Sequence, residues 1–153
     1  MNLTARKVTL SDMMLIFEWA NDPITRQMSF NQNLIPLEQH QQWFQTTISD
    51  TEQCFLIIEK ANQPVGQVRL NIHGVIGVSI APNCRGQRLG APVLQKGIEY
   101  FLEHTQHKKI IAYIKPINKV SIKIFERVGF LYFQKTIIQD TPALEYHFTI
   151  PIE

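Results

Sequence analysis

The chain has 153 residues, 44% of them apolar, and sets 15 Lys and Arg against 13 Asp and Glu for a formal charge of +2. That length suits one globular domain burying roughly two-thirds of its unfolded surface, and near-even charge with no basic cluster argues against a nucleic-acid partner. No apolar run approaches the roughly twenty residues of a membrane span, the first residues read as an alternating strand rather than a signal peptide, and the two cysteines lack metal-type spacing, so a cytoplasmic protein with reduced thiols, no metal and no membrane partner is expected.

Taken in chain order, alternation over residues 3–9 predicts a strand, and Ser11 is placed to cap a helix reaching about Ala20 that Asn21, Asp22 and Pro23 stop. Pro36 starts a second helix to about Ile48, with Leu37, Phe44 and Ile48 on the core face and His40 and Trp43 beside it. Strand-like runs follow at 54–60, 65–72 and 75–81, joined by Ala61-Asn62-Gln63-Pro64 and by His73-Gly74. An Arg-Gly-rich turn opens a helix to about Glu103, and residues 109–115 read as a buried strand. Pro116-Ile117-Asn118 opens a helix that stops at Gly129, and residues 130–138 and 143–150 make a hairpin around Asp140-Thr141-Pro142. Without repeats or linkers, residues 1–153 form one expected α+β domain, with about seven mostly antiparallel strands in one sheet and about four helices.

The most informative stretch is 78–94, V-S-I-A-P-N-C-R-G-Q-R-L-G-A-P-V-L, a strand feeding a loop that opens a helix. The first helical turn leaves backbone N–H groups without internal partners and carries the positive end of the macrodipole, so such a loop can cradle a phosphate. Glycine is also what ordinary turns and helix starts require. The spacing matches neither the P-loop nor the dinucleotide fingerprint, since Gly86 and Gly90 stand four apart. Pro92 has no N–H, which leaves the amides of Gln87, Arg88, Leu89, Gly90 and Ala91 as phosphate donors.

This loop resembles the acetyl-CoA loop of the GNAT acetyltransferase superfamily, R/Q-x-x-G-x-G/A, on Arg85, Arg88 and Gly90, with Arg88 where the pattern has its middle glycine. A second segment, Asn118 to Phe130, is similar to the superfamily's N-x-x-S-x-x-x-[YF]-E-[KR]-x-G-F, and the order of elements matches over the whole chain. Glu18-Trp19-Ala20-Asn21-Asp22, Arg26, Ser29, Ile35 and His40-x-x-Trp43-Phe44 resemble the N-terminal region of enzymes that acetylate nucleotide-linked 4-amino-6-deoxy sugars, of the pseudaminic and legionaminic acid type. Related patterns occur in ribosomal-protein N-terminal acetyltransferases.

The resemblance implies a sheet whose central strands splay, with acetyl-CoA as co-substrate in the gap. Main-chain groups of Val78, Ser79 and Ile80 would hold the pantetheine arm, and an amide near Ile80 would face the thioester oxygen. Arg85 and Gly86, with the amides just named, would hold the diphosphate, and Asn118, Ser121 and Phe125 would approach the coenzyme. Asn118 is equally placed as a helix N-cap assisted by Ser121. Arg26, His40 and Trp43 are the candidate acceptor-binding residues. Arg26 reads as a phosphate anchor or a salt-bridge residue. His40 reads as a base or a holder of a phosphate or sugar hydroxyl, with a packed helix histidine as the alternative. Ser79 is the second catalytic candidate, and His73 a weaker one.

Direct transfer requires a neutral amine. Deprotonating an amine of pKa near 10.4 at neutral pH costs about 4 kcal/mol, against about 1 for one near 8. The carboxylate and tyrosine common in the superfamily align with Val75 and Phe125, which tilts the reading toward a low-pKa amine on a sugar or a peptide N-terminus rather than lysine. The expected function is therefore acetyl transfer to a nucleotide-linked amino-deoxy sugar. Peptide N-terminal acetylation is the alternative enzyme, and a non-catalytic CoA-binding module the alternative class. Cys84 as an acyl-carrying nucleophile is a remote third idea. The aromatic residues Tyr132, Phe133, Tyr146 and Phe148 of the last hairpin either build a homodimer surface or pack the sheet.

Overall fold

The computed structural model describes residues 2–150, so Met1 and residues 151–153 of the expected domain lie outside the described residues. Strands β1 (Leu3–Lys7), β2 (Cys54–Lys60), β3 (Gln63–Leu70) and β4 (Ile76–Ile80) form one antiparallel sheet in chain order. Strands β5 (Lys109–Ile114), β6 (Leu131–Ile138) and β7 (Thr141–Thr149) form a second, ordered β5-β7-β6. The expected single sheet is thus two. Val75 bridges to Ile111 in parallel fashion, and the Ile111 N–H donates to Gly74 O at 2.8 Å. Beyond that bridge no ladder joins β4 to β5 among the described residues; β5 pairs with β7, and Ala81 turns its N–H back to Val65 O at 2.8 Å. The predicted splay follows from that parting.

β2 explains how the layers assemble. Phe55, Leu56, Ile57 and Ile58 are all buried, and because successive side chains alternate faces, both sides of this strand are covered. Leu56 and Ile58 join the larger core beneath the helix α4 (Gly90–His104), with its Val93, Leu94, Ile98 and Phe101. Phe55 and Ile57 join Ile16 and Trp19 of α1 (Met13–Ala20) and Phe44 of α3 (Leu37–Ser49) in a second core on the opposite face. The last helix, α5 (Lys119–Val128), lies beside α4.

Local departures from the sequence reading have local causes. Instead of four helices, five α-helices are described, because Asp22-Pro23 both ends α1 and starts α2 (Pro23–Met28). The Asp22 carboxylate accepts the Thr25 N–H at 3.1 Å, with Pro23 at the first helical position, an efficient start signal. Ser11 is not a cap. It lies in a short 3-10 turn, Leu10–Asp12, whose Asp12 carboxylate accepts the Thr9 N–H at 2.8 Å. Ala61 and Asn62, both at positive φ, form the two-residue hairpin turn, so β3 begins at Gln63 and Pro64 sits in the strand where the register shifts near Glu59. Gln139 and Asp140 do the same in the last hairpin, which puts Pro142 opposite Ile137 inside β7. Leu37, expected on the core face of its helix, faces outward at 41% exposure. Of the four hairpin aromatics, Tyr146 is buried and Phe148 packs on the core, while Tyr132 and Phe133 on the edge strand β6 are exposed. No helix among the described residues is long and apolar enough to cross a membrane.

Candidate functional site

The loop between β4 and α4 was the sequence's strongest signal. A 3-10 turn, Pro82–Cys84, ends β4, and Gly86 at φ 77 and Arg88 at φ 58 reverse the chain before the helix starts at Gly90. Arg88 stands where the family pattern has glycine, and it takes the left-handed conformation that a Cβ disfavours by about 1 kcal/mol or more. Leu89 O already accepts the Val93 N–H at 2.9 Å. The amides of Gly90 and Ala91, at the first two helical positions, have no intrahelical acceptor by construction. α5 closes on the first turn of α4 at Gly90, where a Cβ would run into the tip of the Ile124 side chain and displace it. Nothing lies within 4 Å of the place where a Gly86 Cβ would stand, so the loop has an open side. These features suit a loop that holds a diphosphate.

Around the parted sheet edge, alternation sorts β4. Val78 and Ile80 pack on the core under α4, whereas Gly77 and Ser79 face the other way with Gln67 and Arg69 of β3, their register partners. That second face is the floor of a cleft of about 350 Å³ beneath α1, α2 and α3, with Thr25, Arg26, Ser29, His40 and Trp43 among its walls. Three candidate acceptor residues and two β4 candidates therefore meet at one place. The loop from Gly86 to Ala91 does not line that cleft.

His40 is 2% exposed, enclosed by the rings of Phe17, Trp43 and Phe44. Its Nε2 lies 3.1 Å from Met13 O. A carbonyl only accepts, so Nε2 carries the proton and Nδ1 keeps its lone pair. Burial pulls its pKa below the ordinary histidine value, partly countered by the Met13 bond. Ser79 Oγ is buried without a hydrogen-bond partner among the described residues.

Two motif arginines have structural employment. The Arg26 guanidinium donates to Ala20 O at 2.7 Å, Asn31 O at 2.8 Å, Asn33 O at 3.3 Å and Ser29 Oγ at 3.1 Å, strapping the 29–35 loop over the cleft. Asn21 completes that strap by pairing both ways with the Ile35 backbone, at 2.9 and 2.8 Å. Arg85 reaches across to Asp22 and to Thr25 Oγ1 at 3.2 Å, tying the loop before α4 to α2. Arg85 holds the Asp22 carboxyl below the usual carboxylate range.

The remaining candidates are dispersed. Asn118 caps α5, accepting the Ser121 N–H at 3.2 Å. Phe125 is buried against Phe130. His73 sits exposed in the turn before β4, and at the end of α4 His104 donates its Nδ1–H to Tyr100 O, 2.9 Å away. Cys54 and Cys84 are free thiols, and burial raises that of Cys54 to about 11. No group of three or more His, Cys, Asp or Glu among the described residues could hold a metal ion.

The sequence reading missed Arg69. Its guanidinium lies 5.0 Å from the Trp43 ring centroid and 5.7 Å from that of Phe55, and burial lowers its pKa.

A donor-rich helix start beside a parted sheet, backed across one strand by a separate polar cleft, is a layout that suits a transferase acting on two substrates. A model of the acetyltransferase (GNAT) domain matches residues 2–131, and the chain belongs to that family. It is accordingly an N-acetyltransferase with acetyl-CoA as co-substrate. No curated protein matches its sequence. Among solved structures, spermidine N-acetyltransferase from Vibrio cholerae in complex with CoA and spermine superposes with a TM-score of 0.84 at 17% identity, over 96% of this chain and 95% of that one. The aminoglycoside acetyltransferase AAC(6')-Ib in complex with coenzyme A gives 0.81 at 20% identity, over 97% and 95%. A domain from Methanocaldococcus jannaschii gives 0.82 at 23% identity, over 97% and 99%. These likenesses establish the fold.

Proposed function

We propose that the chain acetylates the amino group of a nucleotide-linked amino-deoxy sugar held in the cleft under α1–α3. The observation that carries this reading is the cleft's lining: Arg26 and Arg69 supply two cations, His40, Ser29 and Ser79 supply hydrogen-bonding groups, and no carboxylate stands in the wall among the described residues. Spermidine and aminoglycosides are polycations at neutral pH and would meet like charge there. A nucleotide-linked sugar carries phosphates that this lining complements. Its ring amine also has the lower pKa that a site without a carboxylate at Val75 demands, and Val75 is engaged in the bridge to Ile111.

In this reading the open edge of β4 at Val78, Ser79 and Ile80 receives the pantetheine arm. The amides from Gln87 to Ala91, with the Arg88 side chain and with Asn118 and Ser121 at the start of α5, receive the coenzyme's polar parts. The coenzyme supplies the activated acetyl group. His40 is neutral and offers Nδ1 to a sugar hydroxyl or the amine, Trp43 offers an aromatic face, and Ser79 Oγ offers a hydrogen bond. Arg85 works as a strap between the β4–α4 loop and α2 rather than as a phosphate ligand. Use of acetyl-CoA fits a cytoplasmic enzyme.

Thiol release from acetyl-CoA tests the acceptor. Turnover with a UDP-4-amino-4,6-dideoxy sugar well above that with spermidine, kanamycin or a peptide N-terminus is expected. Preference for a polycation would overturn the acceptor class, and tight CoA binding without any turnover would make the chain a binding module.

A further inference from the structure

We propose that Arg69, laid over the Trp43 ring on the floor of the cleft, grips an acidic group of the acceptor and makes the site selective for amines that carry one. The proposal rests on the cleft being the acceptor site, as argued above. A guanidinium stacked on an aromatic ring satisfies its charge through the face and leaves its in-plane N–H fork free. None of the described residues forms an ion pair with Arg69 or accepts a hydrogen bond from it. Arg26, the other cation in the cleft, has its fork engaged by three carbonyls and Ser29.

The register partner of Arg69 on β4 is Gly77, which has no side chain to lay against the guanidinium; a Cβ there would stand in ordinary contact, 3.8 Å from its terminal nitrogen. Two residues along the same face, the Ser79 hydroxyl is likewise buried and unpartnered. A cation and a hydroxyl on one face of a polar cleft, each lacking a partner among the described residues, complement an oxyanion. An apolar residue of similar length would pack against Trp43 and Phe55 without the cost of desolvating a charge, so the charge itself calls for a ligand. The shared chemistry is a phosphate or carboxylate oxygen accepting two parallel N–H bonds.

The test is calorimetric titration of the full chain, saturated with CoA so that the α4 loop is occupied, with two probes: uridine diphosphate for the phosphate source and N-acetylaspartate amide for the carboxylate source. One of the two is expected to bind, and that one names the source. Arg69→Met is expected to weaken it by about tenfold or more, the lower end of a charge-assisted pair. Arg69→Lys, which keeps the charge but loses the fork, is expected to weaken it about threefold or more, and it serves if the Met variant does not fold. CoA affinity should stay unchanged in both. Failure of both probes to bind the CoA-loaded wild type, or equal binding of the bound probe by the variants, overturns the role of Arg69. Failure of the wild type to bind CoA would instead overturn the acetyltransferase site itself.

Discussion

Asp22→Asn separates the strap reading of Arg85 from the phosphate-ligand reading, because it removes one interaction and leaves the rest. Asparagine caps a helix about as well as aspartate, so the bond to the Thr25 N–H survives and the charge-assisted pair with Arg85 is what goes. Such a bond contributes roughly 1.5–3 kcal/mol when sheltered. The two side chains are 14% and 32% exposed, and solvent screening brings the expectation down to about 1–1.5 kcal/mol. For a domain of this length that is a fall in melting temperature of about 2–6 °C. The pair also has a pH signature. Arg85 holds the Asp22 carboxyl low, so the unfolded chain takes up this proton first. The contribution is therefore full above an ordinary Asp pKa of about 3.9, is lost as pH falls through the lower folded value, and is absent from Asp22→Asn. Scanning calorimetry of wild type, Asp22→Asn, Arg85→Met and the double variant should give a coupling energy of about 1 kcal/mol. CoA affinity of Arg85→Met should stay within about twofold of wild type, because that guanidinium is spent on Asp22 and Thr25. A zero coupling energy, or a tenfold loss of CoA affinity in Arg85→Met alone, would refute the strap and return Arg85 to the coenzyme.

Burial of neutral His40 makes a different pH prediction: the unfolded histidine protonates near pH 6.5 and the folded one lower, so its contribution is full above about 6.5 and declines below it. Wild type should lose more melting temperature than His40→Gln between pH 7 and 5.5 in a thermal-shift series, and parallel curves would count against it. Gly97→Ala should destabilise, since its Cβ would meet Val68 Cγ1 at 2.7 Å and Val68 Cβ at 2.9 Å, and overpacking of about 1–3 kcal/mol exceeds the roughly 1 kcal/mol gained in helix propensity. Partial recovery in Gly97→Ala with Val68→Ala would confirm the contact, and a raised melting temperature in the single variant would refute it. Arg88→Gly should move two readouts in opposite directions. Relief of the left-handed strain, less the entropy cost of glycine, raises stability by about 0.5 kcal/mol, while loss of the cation lowers CoA affinity severalfold by calorimetry. Equal or tighter CoA binding would place the Arg88 side chain away from the diphosphate.

What could be read before the structure was known follows from the range over which each signal acts. Strand and helix positions depend on periodicity within a dozen residues, and all seven strands and the four longer helices were legible. α2 was not, because Asp-Pro is both a stop for α1 and a capped helix start, and a six-residue helix has no periodicity to tell the two apart. The same ambiguity holds at Pro64 and Pro142: proline commonly breaks a strand, but at a register shift or beside a two-residue turn it fits inside one. The split into two sheets is a pairing property and leaves no periodic trace. The cleft shows the boundary most clearly. His40 and Trp43 stood out because they share a helix face, and Arg26 because it sits in a recognisable segment, yet the structure spends Arg26 on carbonyls that are close only once the 29–35 loop has folded back. Arg69 carried a usable signal that went unweighed. In Gln67-Val68-Arg69-Leu70 the alternation puts Gln67 and Arg69 on one face of a strand whose other face is core, and β2 beside it is apolar on both faces. A strand next to a doubly covered neighbour has its polar face under a second layer, so an arginine there is enclosed and must find either a counter-ion or a ligand. Among the described residues the counter-ion is missing, and that leaves the acceptor to supply it.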